Sequence, residues 1–463
     1  MARRSQNMLR YSERTNTLQL DEYKYELQDI ETPNLYREVF PYDSVPRCTF
    51  NHRAVPINPP EEMWITDTTF RDGQQSRPPY TVKQIVDLYD MLHRLGGASG
   101  LIRQCEFFLY TDKDKEAVEK CLERGYEYPE ITGWIRAVKK DFQLVKDMGL
   151  KETGILTSAS DYHIFLKLGK TRAQAVEMYL DIVRAALDIG VIPRCHFEDI
   201  TRADFYGFVI PFARALMQLS QETVMPIKIR ACDTLGLGIA YPGASLPRNV
   251  RGIVYGLNHF ADVPSEWLEW HGHNDFYRAV SNAANAWLYG ASAANGTLLG
   301  IGERTGNTPV EALVLEYISL RGSAEGINTT VITEIAEYYE KEIGYTIPPN
   351  QPFVGRDFTL TRAGIHQDGI LKNEETYSIF DTEKVLKRPP CISITDKSGS
   401  AGVAHWVNSK LKLDKDKALG KDHPGVVKIK ECIDAQYREG RTTAISDEEM
   451  LDAAKRELPE YFW

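Results

Sequence analysis

Long apolar runs are missing from this 463-residue chain. Nothing approaches the roughly 20 residues that cross a bilayer, and the basic start, MARRSQNMLRYSERTN, lacks the apolar segment of a secretion signal. No membrane partner is expected on that ground, and a cytoplasmic setting is. An excess of positive charge is missing too: 55 Lys and Arg stand against 65 Asp and Glu, a formal net charge of −10 with the two signs interspersed. The chain therefore has no electrostatic footprint for nucleic acid. Cysteine pairs are also absent, because Cys48, Cys105, Cys121, Cys195, Cys232, Cys391 and Cys432 lie far apart with no CxxC-like spacing. That excludes a zinc ribbon or an iron–sulfur cluster and fits buried thiols in a reducing compartment. What the chain has is apolar content, 43%, enough for one large barrel or sandwich with an appended domain acting on small molecules.

Residues 1–62 are polar and weakly periodic and end in VPINPPEE, which predicts an arm or extension rather than a domain. Regularity begins at Met63. Short β-rich runs (WITDTT, IRQCEFF, ITGWIR, ETGILTS, VIPRCHFE, PIKIRACDT, WLEWHGH, ASAANGTLLG) alternate with stretches of helical period, eight times before residue 325. Eight such units in about 260 residues have the rhythm of an α/β fold of the TIM (β/α)8 type, over residues 63–325. Residues 326–400 read as a linker and accessory subdomain, and 401–463 as a charged helical tail. The expected whole is a barrel followed by smaller helical subdomains, with the terminal YFW docking on a partner surface.

In such a barrel chemistry lies at the C-terminal strand ends, and there DTTFRDGQ, CHFEDITR, CDT, HGHND and NGT all fall. Residues i and i+2 of a strand share a face, so His271 and His273 project together. An HxH pair is either a pair of metal ligands or two hydrogen-bonded core residues. Asp72, past the first strand, would complete a mixed oxygen and nitrogen set for a catalytic divalent ion, or RDG is simply a turn. The stacking of polar strand ends on one face weighs against a non-catalytic barrel used only as a binding module.

The combination of DTTFRDGQQ, HGHND and NGTLLGIGERTGNTPVEAL, followed by AGIHQDGILK and SGSAG, resembles the DRE-TIM metallolyase superfamily, in its branch of isopropylmalate, homocitrate and Re-type citrate synthases. The resemblance runs from Met63 to about His405. It implies a metal set of Asp72, His271 and His273, with Asn307 as a further, weaker ligand or a turn residue. The ion implied is divalent, with Mn2+ or Co2+ favoured over Mg2+ or Zn2+. It also implies condensation of acetyl-CoA with a 2-oxo acid, followed by thioester hydrolysis, in a homodimer whose subdomain reaches the active site.

On the same resemblance Arg71 stabilises the developing alkoxide or pairs with Asp72, and Glu198 is the base, or caps the next helix with Asp199. His366 and Tyr377 take part in proton transfer or water activation, Tyr377 having subdomain packing as its other role. Gln75 and Thr234 join Arg71 among the substrate contacts. Arg194 and His196, in RCHFE, suit the second carboxylate of a dicarboxylic oxo acid. The bulk of His196 and Phe197 shortens the cavity toward oxaloacetate, one methylene shorter than 2-oxoglutarate. Isopropylmalate synthases carry a histidine where this chain has Gly154, which leaves His163 in SDYH as an added candidate. Long stretches such as RCHFEDITRADFYGF resemble the Re-type citrate synthases in particular.

Overall fold

The computed structural model describes residues 8–12, 17–21, 25–411, 413 and 415–462, and its contacts divide the chain after Asn328. In the first unit eight parallel strands close into a barrel. They are β1 (Trp64–Asp67), β2 (Ile102–Phe108), β3 (Glu130–Ile135), β4 (Glu152–Ser158), β5 (Ile192–Glu198), β6 (Lys228–Asp233), β7 (Leu268–Gly272) and β8 (Ala293–Gly296). Each is followed by a helix: α1 (Val82–Gly96), α2 (Asp112–Leu122), α3 (Phe142–Asp147), α4 (Arg172–Asp188), α5 (Ile210–Thr223), α6 (Val250–Phe260), α7 (Ala279–Tyr289) and α8 (Val310–Arg321). This is the TIM barrel the alternation predicts. Thr81, Thr111 and Thr171 start α1, α2 and α4 with capping boxes, which fixes where each helix leaves its loop.

Apolar residues of the strands and helices meet in the layer between barrel and helices. Phe197 belongs there, stacked on Phe212 at 5.0 Å. The expectation that Phe197 shortens the cavity is therefore wrong, because strand alternation turns it outward while Arg194, His196 and Glu198 turn inward. The interior is polar instead: Gln104, Glu106, Glu152, Arg194, His196, Arg230 and Glu269 are all buried within it.

Residues 8–21 lie partly outside the described residues; what is described there is an antiparallel pair, Met8–Ser12 with Thr17–Asp21. From residue 25 to 62 the chain is not a loose arm. It is tied along the barrel by backbone and side-chain hydrogen bonds, among them Gln28 N to Gly207 O at 3.0 Å, Asn34 N to Asp161 Oδ2 at 2.8 Å and Asn58 N to Leu288 O at 2.9 Å.

The second unit contains α9 (Val331–Lys341), α10 (Gly364–Lys372), α11 (Thr382–Leu386), α12 (Ser400–Leu411), α13 (Pro424–Arg438) and α14 (Asp447–Glu457). Leu360–Thr361 and Cys391–Ile392 form a short parallel pair. Ile394, Val403, Val407, Val426, Ile429 and Met450 make its core. Tyr461 and Phe462 lie half-buried against that same core rather than waiting for a partner, and Trp463 falls outside the described residues.

Candidate metal centre and active site

Arg71 and Asp72 owe their placement to Asp67, the last residue of β1. Its carboxylate accepts the Thr69 N–H at 3.0 Å and the Thr69 hydroxyl at 2.5 Å, while Thr69 Oγ1 accepts the Leu298 N–H at 2.9 Å. The wide turn Thr69–Gly73 is thus tied at its first residue, and Arg71 and Asp72 are buried on it. On the far side of β8, β7 delivers His271 and, one residue past its end, His273.

The three side chains meet. His271 Nε2 and His273 Nε2 are 3.2 Å apart, and Asp72 Oδ2 lies 3.6 and 3.7 Å from them. A point between the three atoms is about 2 Å from each, the bond length of a divalent transition metal. Protonation states suit ligation. Burial pushes His271 down to about 4 and lowers His273, leaving both neutral. Burial would raise the Asp72 carboxyl, but Arg71 and the two histidines hold it well below the usual carboxylate range. His273 Nδ1 and Asn307 Oδ1 are buried without a partner, as expected of a polar site built around something more than protein. The residues present fit a divalent cation.

Beneath this cluster runs a hydrogen-bonded chain that the sequence reading missed. His271 Nδ1 meets Asn295 Oδ1 at 2.7 Å, which leaves Nε2 as the lone-pair donor. Asn295 Nδ2 donates to Thr66 Oγ1 at 2.9 Å, and Thr66 donates to Glu269. Arg230, fully buried, links Glu269 (2.9 Å) to Glu106 (3.0 Å), and Arg71 Nε donates to Glu106 Oε2 at 2.7 Å. Arg71 Nη1 then reaches Asp72 Oδ1 at 3.2 Å. Two metal-site residues are so joined through the floor of the barrel. Polar residues every second position in IRQCEFF and KIRACD are the signal that would have found Glu106 and Arg230.

Asn307 touches the cluster by donating Nδ2–H to Asp72 Oδ2 at 2.7 Å, orienting the carboxylate. Glu198 is at the mouth, bonded by the Ser158 hydroxyl, by His163 Nδ1 at 2.8 Å and by Lys167 at 3.1 Å. Burial raises its carboxyl, but these partners outweigh burial and hold it at about 2. Asp199, the suggested cap, instead accepts from the Ser160 hydroxyl and Arg202. Thr234 Oγ1 accepts the Asp199 N–H at 2.8 Å, and Gln75 is exposed beyond the turn.

Arg194 departs from expectation: it is committed to Glu152, to Gln104 and, at 3.3 Å, to Glu269, and is 2% exposed. Its charge is already balanced by two carboxylates a layer below His196, while its Nη1 is buried without a hydrogen-bond partner. His196 has a buried Nε2 that makes no hydrogen bond and lies 3.5 Å from Glu106 Oε1, and burial pushes its ring down to about 3, keeping it neutral. In the second unit the His366 ring, on α10, packs against Tyr377 at a 31° tilt with ring centroids 4.3 Å apart. Gly369, one turn on, makes room: a Cβ there would lie 2.6 Å from the tyrosine ring.

A closed parallel barrel that holds two histidines and a carboxylate at its strand ends, beside a fixed guanidinium, defines the class of metal-assisted carbonyl barrels. Comparison makes this particular. A profile of the HMGL-like family matches residues 62–338. A citrate (Re)-synthase of Syntrophus aciditrophicus (strain SB) is 61% identical over 95% of this chain and 70% of its own. A citrate (Re)-synthase of Clostridium kluyveri is 55% identical over 95% of this chain and 97% of its own. Among solved structures the HMG-CoA lyase of Brucella melitensis aligns with a TM-score of 0.49 and 16% identity, over 62% of this chain and 100% of that one. The chain belongs to the HMGL-like family and, within it, groups with the citrate (Re)-synthases. The family depends on a divalent metal.

Proposed function

We propose that the protein is a Re-type citrate synthase, an acyltransferase that joins the acetyl group of acetyl-CoA to oxaloacetate and hydrolyses the thioester to release citrate and CoA. The observation that carries it is the Asp72–His271–His273 triangle beside Arg71, in a chain that matches relatives named citrate (Re)-synthase along 95% of its length. The wider reading is a cytoplasmic homodimer using Mn2+ or Co2+.

A divalent ion held by Asp72, His271 and His273 supplies Lewis acidity toward the carbonyl of the oxo acid. Arg71, pinned by Glu106 and Asp72, presents a permanent positive charge where an alkoxide develops, and needs no reorganisation to do so. His196 offers a neutral ring N–H toward the distal carboxylate in the place first assigned to Arg194. Methyl-proton removal calls for a base, and Glu198 is a weak one while Lys167 and His163 grip it, so it gains strength as those contacts loosen. His366 and Tyr377 contribute to proton transfer or to activation of the hydrolytic water.

Purified protein with Mn2+ and acetyl-CoA is expected to release CoA fastest with oxaloacetate and at least tenfold slower with 2-oxoglutarate or 2-oxoisovalerate. Fastest release with 2-oxoglutarate would make it a homocitrate synthase, and with 2-oxoisovalerate an isopropylmalate synthase.

A further inference from the structure

His196 stands in an unusual relation to the neighbouring strand. In β4 and β5 the register pairs Gly154 with Arg194, Leu156 with His196 and Ser158 with Glu198, all on the inner face. His196 is therefore one layer below Glu198. Its strand-β6 neighbour in register, Arg230, also pairs with Glu269, which lies two residues before His271. The imidazole is thus in the layer directly under the metal cluster and the candidate base, where a substrate's far end would reach.

The ring leans over Gly154. A Cβ at 154 would lie 2.5 Å from His196 Nε2 and 2.8 Å from Glu106 Oε1. The glycine has no left-handed backbone to excuse it, so side-chain space alone makes it necessary. Of the two neighbours Glu106 has the shorter way to go: Thr68, Arg71 and Arg230 hold its other oxygen, Oε2, and a small turn of Oε1 relieves the 2.8 Å approach, whereas the imidazole, at 2.5 Å, has to move bodily. Any side chain at 154 therefore drives the imidazole off β4 and toward the barrel axis.

We propose that Gly154 and His196 form one specificity element: the bare glycine lets the imidazole lie across β4, one layer below Glu198, where it closes the floor of the oxo-acid pocket. This rests on the oxo-acid synthase reading above and adds what sets the length of its substrate. Gly154 acts only through His196 and is a positioning residue.

The test is a double-mutant cycle read as kcat/KM for oxaloacetate and for 2-oxoglutarate, with thermal melting to confirm that each variant is folded. His196→Ala opens the floor and is expected to shift the ratio toward 2-oxoglutarate by about tenfold or more, the worth of one methylene. Gly154→Ala, which pushes the ring into the pocket, is expected to raise KM for oxaloacetate about tenfold with kcat less affected. In the His196→Ala background the same Gly154→Ala change is expected to have little effect. Equal effects of Gly154→Ala with and without the histidine overturn the proposal, as does an unaltered ratio in His196→Ala. If Gly154→Ala fails to fold, the His196→Ala ratio still decides it. The wild-type preference is measured separately and tests only the parent reading, since the coupling between 154 and 196 is read as a change in ratio whichever acid the wild type prefers.

Discussion

At the scale of single residues, the side chains that hold others in place separate from those that meet substrate. Asn295 fixes the His271 ring through one hydrogen bond, so Asn295→Ala is expected to weaken divalent-metal affinity about 10–100-fold without unfolding the protein, and Asn295→Asp to restore it. Titration calorimetry with Mn2+ reads this independently of turnover. Arg194 gives the opposite pattern. Arg194→Met leaves Glu152 and Glu269 short of a buried partner and is expected to cost about 3–5 kcal/mol of stability in denaturant melts. A stable variant with only a raised KM for the oxo acid would return Arg194 to the substrate. Lys167→Met removes one of the charges that hold the Glu198 carboxyl down, so its pKa rises. Because the deprotonated form is the active base, the acid limb of kcat/KM should move to higher pH.

At the scale of elements, the eight strands were legible because β-rich runs and helical periods alternate without interruption, and His271 with His273 because i and i+2 share a face. The eighth strand is shorter than its apolar run suggested, Ala293–Gly296 only, since the chain turns at Thr297 to pair with Thr308. The ion-pair partners of Arg194 were hidden for a physical reason: sequence gives its face but not the two carboxylates contributed by β4 and β7, which become its neighbours only on closure of the barrel. Glu311, in the first turn of α8, was not visible as special at all. It accepts the Leu299 N–H at 3.0 Å, its other oxygen is buried without a partner, and burial raises its carboxyl to about 7. The folded state therefore keeps a proton that the unfolded chain has lost between the ordinary glutamate value of 4.5 and about 7. Its contribution is intact below that window and falls as pH rises through it, by about 3 kcal/mol in all. Glu311→Gln is expected to flatten the fall in stability between pH 5 and 8, measured by urea melts at a series of pH values.

At the scale of the whole first unit, residues 25–62 act as a strap, and the strap reaches the loop after β4. Buried Arg172 ties it down by donating to Asp161, to Asp204 and to the Gln28 carbonyl, while the Tyr162 hydroxyl donates to Leu35 O at 2.6 Å. Further along, Arg248 donates to Arg47 O at 2.7 Å. Asp161 and Tyr162 immediately precede His163, the partner of Glu198, so the strap steadies the loop that sets the strength of that carboxylate. Asp72 stands on the turn after β1, and His271 and His273 at the end of β7; both strands hold their own register through the ladder. Removing residues 1–60 discards several hydrogen bonds worth about 1 kcal/mol each, and so should lower the melting temperature by roughly 10 °C or more. One divalent ion per chain should still bind, with turnover reduced and its acid limb displaced, because only the Glu198 side of the mouth has lost its support. Equal loss of metal and turnover in the shortened chain would mean that the strap supports the barrel as a whole rather than this one loop.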